Sequence, residues 1–153
     1  MGRRRATTPP AFMPSLIGPD DLPPVELIES GAAPVLLTCD HASNAVPRAL
    51  KGLGLASEAL AQHIGWDIGA AAVTRRLAAA LAAPAVLSGY SRLVIDCNRD
   101  PSDMSSIPET SDGIAIPGNR GLSREARDGR RRACFEPYHA RIAAWLAAAA
   151  AAA

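Results

Sequence analysis

Val35 to Cys39 is a short apolar, β-prone run closed by Pro34 on one side and by polar residues on the other. A run so bounded predicts a central strand buried on both faces. Its far end delivers Asp40, His41, Ser43 and Asn44, and in open α/β sheets ligands bind in the crevice beyond the strand ends. Ala85 to Ser88 and Leu93 to Cys97 predict two further strands, the second ending in the polar cluster DCNRD. Two strand ends therefore carry reactive side chains. Upstream, Val25 to Ser30 reads as a short strand or a turn of helix, and Gly31 to Pro34 punctuate it.

Helical spacing recurs between these runs. Ser57 to His63 has a serine suited to capping and apolar residues at helical intervals. From Asp67 to Ala82 the positions Ile68, Ala71, Ala72, Leu77 and Leu81 predict a helix packed on a sheet, started by Asp67 and ended before Pro84. A last helix is capped by Ser123, with Phe135, Tyr138, Ile142 and Trp145 on one face; Pro137 kinks or restarts it. Pro101 to Gly121 is rich in Pro, Gly, Ser and Asp and predicts a long loop covering a site. Strands alternating with helices place the chain in the α/β class.

Composition narrows the setting. The 153 residues are 48% apolar and 20% charged, the balance of one soluble globular domain. Residues 1–30, Pro-rich after a basic start, read as a loosely attached leader, and residues 31–153 as the folded portion. The leader lacks the apolar segment of a secretory signal, and nothing in the chain has the hydrophobicity of a membrane span. A net charge of +1 gives no nucleic-acid footprint. Cys39, Cys97 and Cys134 are odd in number and lack CxxC spacing, which excludes a disulfide framework and predicts the cytoplasm. Residues 147–153 are all alanine, so the last helix has no stop signal; a purposeful tail and a truncated or frame-disrupted chain both account for it.

His41, beside Asp40 and before Asn44, is placed either to donate to a metal or to hydrogen-bond within its loop, and the residues alone leave both open. Cys39 and His41, two apart, would share a face and suggest a thiolate and its base, but a cysteine in an apolar strand is usually a small buried hydrophobe. Asp67 reads as an N-cap ahead of a ligand. Arg92, Asp96, Asn98 and Arg99 form a stronger group: arginine grips carboxylates bidentately, asparagine adds a neutral donor and acceptor, and Asp96 can orient either, so this end suits an anionic substrate. The alternative is a surface ion pair of Arg99 with Asp96 or Asp100. Arg127 to Arg132 read as a solvated helix face.

CDHASNAVP, GWDIGAAAV, SRLVIDCNRDP and FEPYHARI, in this order between about Pro34 and Ala144, resemble the N-formylglutamate amidohydrolase family, whose members look like zinc carboxypeptidases and aspartoacylases in fold. The resemblance implies a three-layer α/β/α fold with a mixed central sheet. It implies a zinc-dependent amidohydrolase that removes a formyl or acyl group from the amino group of an acidic amino acid such as glutamate. His41 matches the first metal-ligand histidine. Asn44 stands where a glutamate ligand is usual, with Asp40 or Asp67 as substitutes. Asn98 and Arg99 match the pair that holds the substrate carboxylate, with Arg92 and Ser43 beside them. Family members are longer, and their second half, beyond FEPYHARI, brings another metal-binding histidine and the catalytic glutamate; the chain therefore reads as an incomplete, N-terminal portion, and no catalytic residue is assigned. His139 is given no role. The expected partner is a small acidic molecule, with neither nucleic acid nor membrane. Two rivals stand beside this reading: a noncatalytic remnant that binds small carboxylates through Arg92, Asn98 and Arg99, and a cysteine hydrolase using Cys39 and His41. The enzymatic reading requires both strand ends to face one cleft.

Overall fold

The computed structural model describes residues 15–29 and 33–152. Of the expected leader, residues 1–14 and Ser30 lie outside the described residues, while Val25–Ile28 forms β1. The central element is β3 (Ala85–Ser88), buried at all four positions. It pairs antiparallel with β1, Val25 opposite Ser88, and parallel with β2 (Leu37–Cys39), Leu37 opposite Ala85. The sheet is therefore mixed, in the order β1-β3-β2. A parallel neighbour requires a crossover, and α2 (Ala70–Leu81) lies within it, after the short α1 (Ser57–Leu60).

Helices cover both faces of the sheet. On one, Ala71 and Ala78 of α2 pack with Cys39, Ala85 and Leu87. On the other, Tyr138 and Ile142 of α4 (Glu136–Ala151), with Phe135 just before it, pack around Val86 and Cys97. This is the three-layer α/β/α arrangement expected. The inner face of α2 differs from expectation: Ala71, Thr74 and Ala78 are buried, whereas Ile68, Leu77 and Leu81 are exposed. Small residues at intervals of three and four bring the helix backbone close to the sheet, and this puts Val73, Leu77 and Leu81, four apart, on its outer flank.

Asp67 does not cap α2. Gly69, at φ 88°, occupies the cap, and the Asp67 side chain points elsewhere. At the other end Ala82 adopts φ 48° and Ala83 N–H donates to Ala78 O at 2.9 Å, a Schellman closure built on alanine in place of glycine. Left-handed alanine is strained. Ala82→Gly is expected to raise the unfolding free energy by about 0.5–1 kcal/mol, the relieved strain exceeding the added chain entropy; a higher urea midpoint at unchanged slope would show it.

Leu93 to Cys97 is no strand. The residues are buried, yet they run through turns, and their polar backbone groups find side-chain or loop partners. Asn119 Nδ2 donates to Leu93 O at 2.9 Å, Arg130 Nη1 to Val94 O at 3.1 Å, and Asp96 N–H to Ser106 O at 2.7 Å. The stretch 101–121 is likewise not a structureless lid. It holds the hairpin β4 (Thr110–Ser111) and β5 (Ile114–Ala115), turned by Asp112 and Gly113 at φ 47° and 74°, and it buries Ile107 and Ile116 in the core with Leu93 and Val94.

Ser123 caps α3 (Arg124–Arg130) by accepting from Ala126 N–H at 3.2 Å, as expected. A wide π-turn, Arg131–Phe135, joins α3 to α4 just before Pro137, so the chain stays helical where proline removes a donor. The basic run is not uniformly solvated: Arg130 is 2% exposed.

Candidate functional site

Both predicted ends meet. Beyond β2, His41 is buried and its two ring nitrogens reach two carboxylates: Nε2 lies 2.7 Å from Asp96 Oδ1 and Nδ1 lies 3.2 Å from Asp67 Oδ2. Asp67 arrives on the turn before α2, anchored by its N–H donating to His41 O at 3.1 Å. Arg92 closes a ring by donating through Nη1 to Asp67 Oδ1 at 3.4 Å and through Nη2 to Asp96 Oδ2 at 3.2 Å. Arg99 Nε adds a bond to Asp96 Oδ2 at 3.3 Å, and Asn98 N–H one to Oδ1 at 2.9 Å.

Asp96 is the hub. Burial opposes its ionisation, but the bonds from His41 and the Asn98 N–H, with the charges of His41 and Arg92, outweigh this and bring its pKa down to about 2. Burial likewise opposes charge on His41, yet the hydrogen bond and charge of Asp96, helped by Asp67 against Arg92, raise its pKa above the ordinary 6.5. An imidazole that donates from both nitrogens is protonated. Three cations, His41, Arg92 and Arg99, then meet three carboxylates, Asp40, Asp67 and Asp96, so an anion would be held by the directed donors of Arg92 and Asn98 and not by a net positive charge.

Asp40, His41, Asp67, Arg92 and Asn98 line one open cleft of about 650 Å³, with Val73 of α2 on its wall. Arg99 lies beside it, bound to Asp96 and to Ser105 Oγ at 3.0 Å. Ser43 and Asn44 do not join them. The chain turns after His41, burying Ala42, and Ser43 lines a different cleft with Glu26 and Arg75, its Oγ accepting from Ala45 N–H at 3.1 Å. Asp96, given only an orienting part by sequence, is the residue through which the two ends touch; a charged residue closing an apolar run is its one signal.

The expected zinc donors do not form a zinc site in this arrangement. Both His41 nitrogens are engaged by carboxylates, Asp40 accepts the hydroxyl of Tyr138, and Asn44 does not line the cleft. Among the described residues, no group of three or more His, Cys, Asp or Glu side chains could hold a metal ion. The cysteine pair fares no better: Cys39 is buried and burial raises its thiol pKa, the opposite of an activated nucleophile.

A model of the N-formylglutamate amidohydrolase family matches residues 33–153. The chain belongs to that family. Among solved structures it is similar to the gene product Atu2144 from Agrobacterium tumefaciens, with a TM-score of 0.86 and 36% identity over 90% of this chain. The match covers 55% of that protein, so the chain spans about half its length. No curated protein matches the chain. No helix among the described residues is long and apolar enough to cross a membrane.

Proposed function

We propose that the chain carries the acid-binding part of an amidohydrolase acting on the N-acyl amide of an acidic amino acid, N-formylglutamate being the type substrate. The observation that supports it is the ring of His41, Asp67, Arg92 and Asp96 beside the cleft, which presents Arg92 and Asn98 together on the cleft lining. In this reading Arg92 and Asn98 take the substrate carboxylate and Arg99 adds long-range attraction. Asp96 holds the His41 proton on Nε2, so the histidine meets an incoming anion as a cation. Zinc, in this family reading, would polarise the amide carbonyl and acidify a water. The cleft residues do not supply its ligands, and no step of the binding runs through it. Three free, buried cysteines fit a reducing compartment, and we place the protein in the cytoplasm.

A second reading, a carboxylate-binding remnant without turnover, is favoured by the missing set of metal donors among the described residues. Calorimetric titration with N-formylglutamate and with glutarate, then a formate-release assay with and without added zinc, separates the two. Binding with release supports the amidohydrolase, binding without release supports the remnant, and failure of both ligands to bind sinks both. Arg92→Ala is expected to weaken glutarate binding by about 10- to 100-fold, the loss of one charge-assisted contact.

A further inference from the structure

We infer that His139, on α4, is a positioning residue that sets the Cys97–Asn98 peptide and thereby the carboxylate-binding end of the cleft. The inference rests on the proposed acid-binding reading for its functional meaning, but its geometry stands independently. His139 Nε2 lies 2.8 Å from Cys97 O. A carbonyl only accepts, so Nε2 carries the proton and donates. The N–H on the other side of the same peptide unit, that of Asn98, donates to Asp96 Oδ1 at 2.9 Å. A trans peptide is planar, with its C=O and N–H pointing in opposite directions, so holding one end fixes the other. His139 therefore acts on Asp96 through a single rigid plane. That plane also precedes the Asn98 side chain, which lines the cleft.

The ring is itself held. Phe135 lies against it with centroids 4.2 Å apart, and Tyr138 meets it edge-on at 5.2 Å and 86°. Tyr138, the preceding residue, is fully buried and donates its hydroxyl to Asp40, the first residue after β2. Consecutive side chains of one helix thus hold both ends that meet in the cleft: Tyr138 the β2 end and His139 the Cys97 end. The two ends, joined directly by His41 and Asp96, are thus also braced from behind by α4.

The test uses the full chain, isotopically labelled, with the Asn98 amide as reporter. In His139→Ala the Asn98 proton resonance is expected to move upfield, its exchange to quicken by about tenfold, and glutarate affinity to fall by up to about tenfold, the loss expected for one hydrogen bond. His139→Gln, which offers an Nε2 donor, is expected to restore the resonance and the affinity. Should the alanine variant fail to fold, a through-bond coupling between His139 Nε2 and the Cys97 carbonyl carbon in the wild-type chain decides the matter. An unmoved Asn98 amide in His139→Ala, or absence of that coupling, overturns the inference. A wild-type chain that binds no glutarate overturns the acid-binding reading instead, and the amide and coupling measurements still decide whether His139 sets the peptide.

Discussion

Asp96→Ala is expected to lower the unfolding free energy by about 3–5 kcal/mol, the range for removing one partner of a buried ion pair. For a chain of this size that corresponds to a melting temperature lower by roughly 10 °C. The loss is large because one side chain satisfies four donors: His41 Nε2, Asn98 N–H, Arg92 Nη2 and Arg99 Nε. Removing it leaves the His41 ring buried with one nitrogen unpartnered and sets two arginines against an imidazolium. The effect has a pH signature. Asp96, held at about 2 in the folded chain, contributes stability that is present above the unfolded carboxyl value of 3.8 and lost as pH falls toward about 2. His41, raised in the folded chain, contributes stability that is complete below 6.5 and lost as pH rises through its folded value. The gap between wild type and Asp96→Ala should be widest between 3.8 and 6.5 and narrow on both sides. Urea melts of both proteins across the acid and neutral range measure it; a gap that does not vary with pH would show that the pair is not ionised as described.

The site is partly legible in the sequence because its parts sit at ends of apolar runs, a local feature. His41, Arg92 and Asn98 can be singled out on that ground, Asp67 only as an N-cap ahead of a ligand, and the structure brings all four to one cleft. Ser43 and Asn44 group with His41 only by adjacency, and burial of Ala42 turns the chain away from that cleft. What is illegible is long-range. Leu93 to Cys97 has the composition of a strand, but the donors that replace a neighbouring strand, Asn119 and Arg130, lie 26 and 36 residues away in sequence. Apolar periodicity cannot distinguish a ladder from such a substitute. The inner face of α2 departs from its pattern for another reason: hydrophobicity marks the large residues, whereas close packing on a sheet selects small ones such as Ala71 and Ala78. The Asp112–Gly113 hairpin, by contrast, carries a readable turn signal inside a stretch whose composition alone suggests a loop.

Arg130 supplies the second large expected effect, because it holds the segment that leads into Asp96. Its guanidinium is buried and donates to neutral oxygens: Nη1 to Val94 O at 3.1 Å and to the Asn119 side chain, Nη2 to Gly118 O at 2.9 Å. Burial lowers its pKa to about 10, which leaves it charged at neutral pH. Arg130→Met keeps the apolar stem but leaves three acceptors without donors in the core, each loss being worth about 1–3 kcal/mol. Relief from burying a charge offsets part of that sum, so the net destabilisation is expected at about 3–4 kcal/mol. Asn119 shares the task, donating through Nδ2 to Leu93 O and to Pro108 O at 2.7 Å. Two residues braced against the same segment should be coupled, so Arg130→Met combined with Asn119→Ala should cost less than the two singles together, by about 1–2 kcal/mol. Hydrogen exchange adds a local readout: the Asp96 amide, which donates to Ser106 O at 2.7 Å, should lose more protection in Arg130→Met than amides of β3. Strict additivity, or uniform loss of protection over the whole fold, would mean that Arg130 supports the core generally and does not act by holding the Val94 carbonyl.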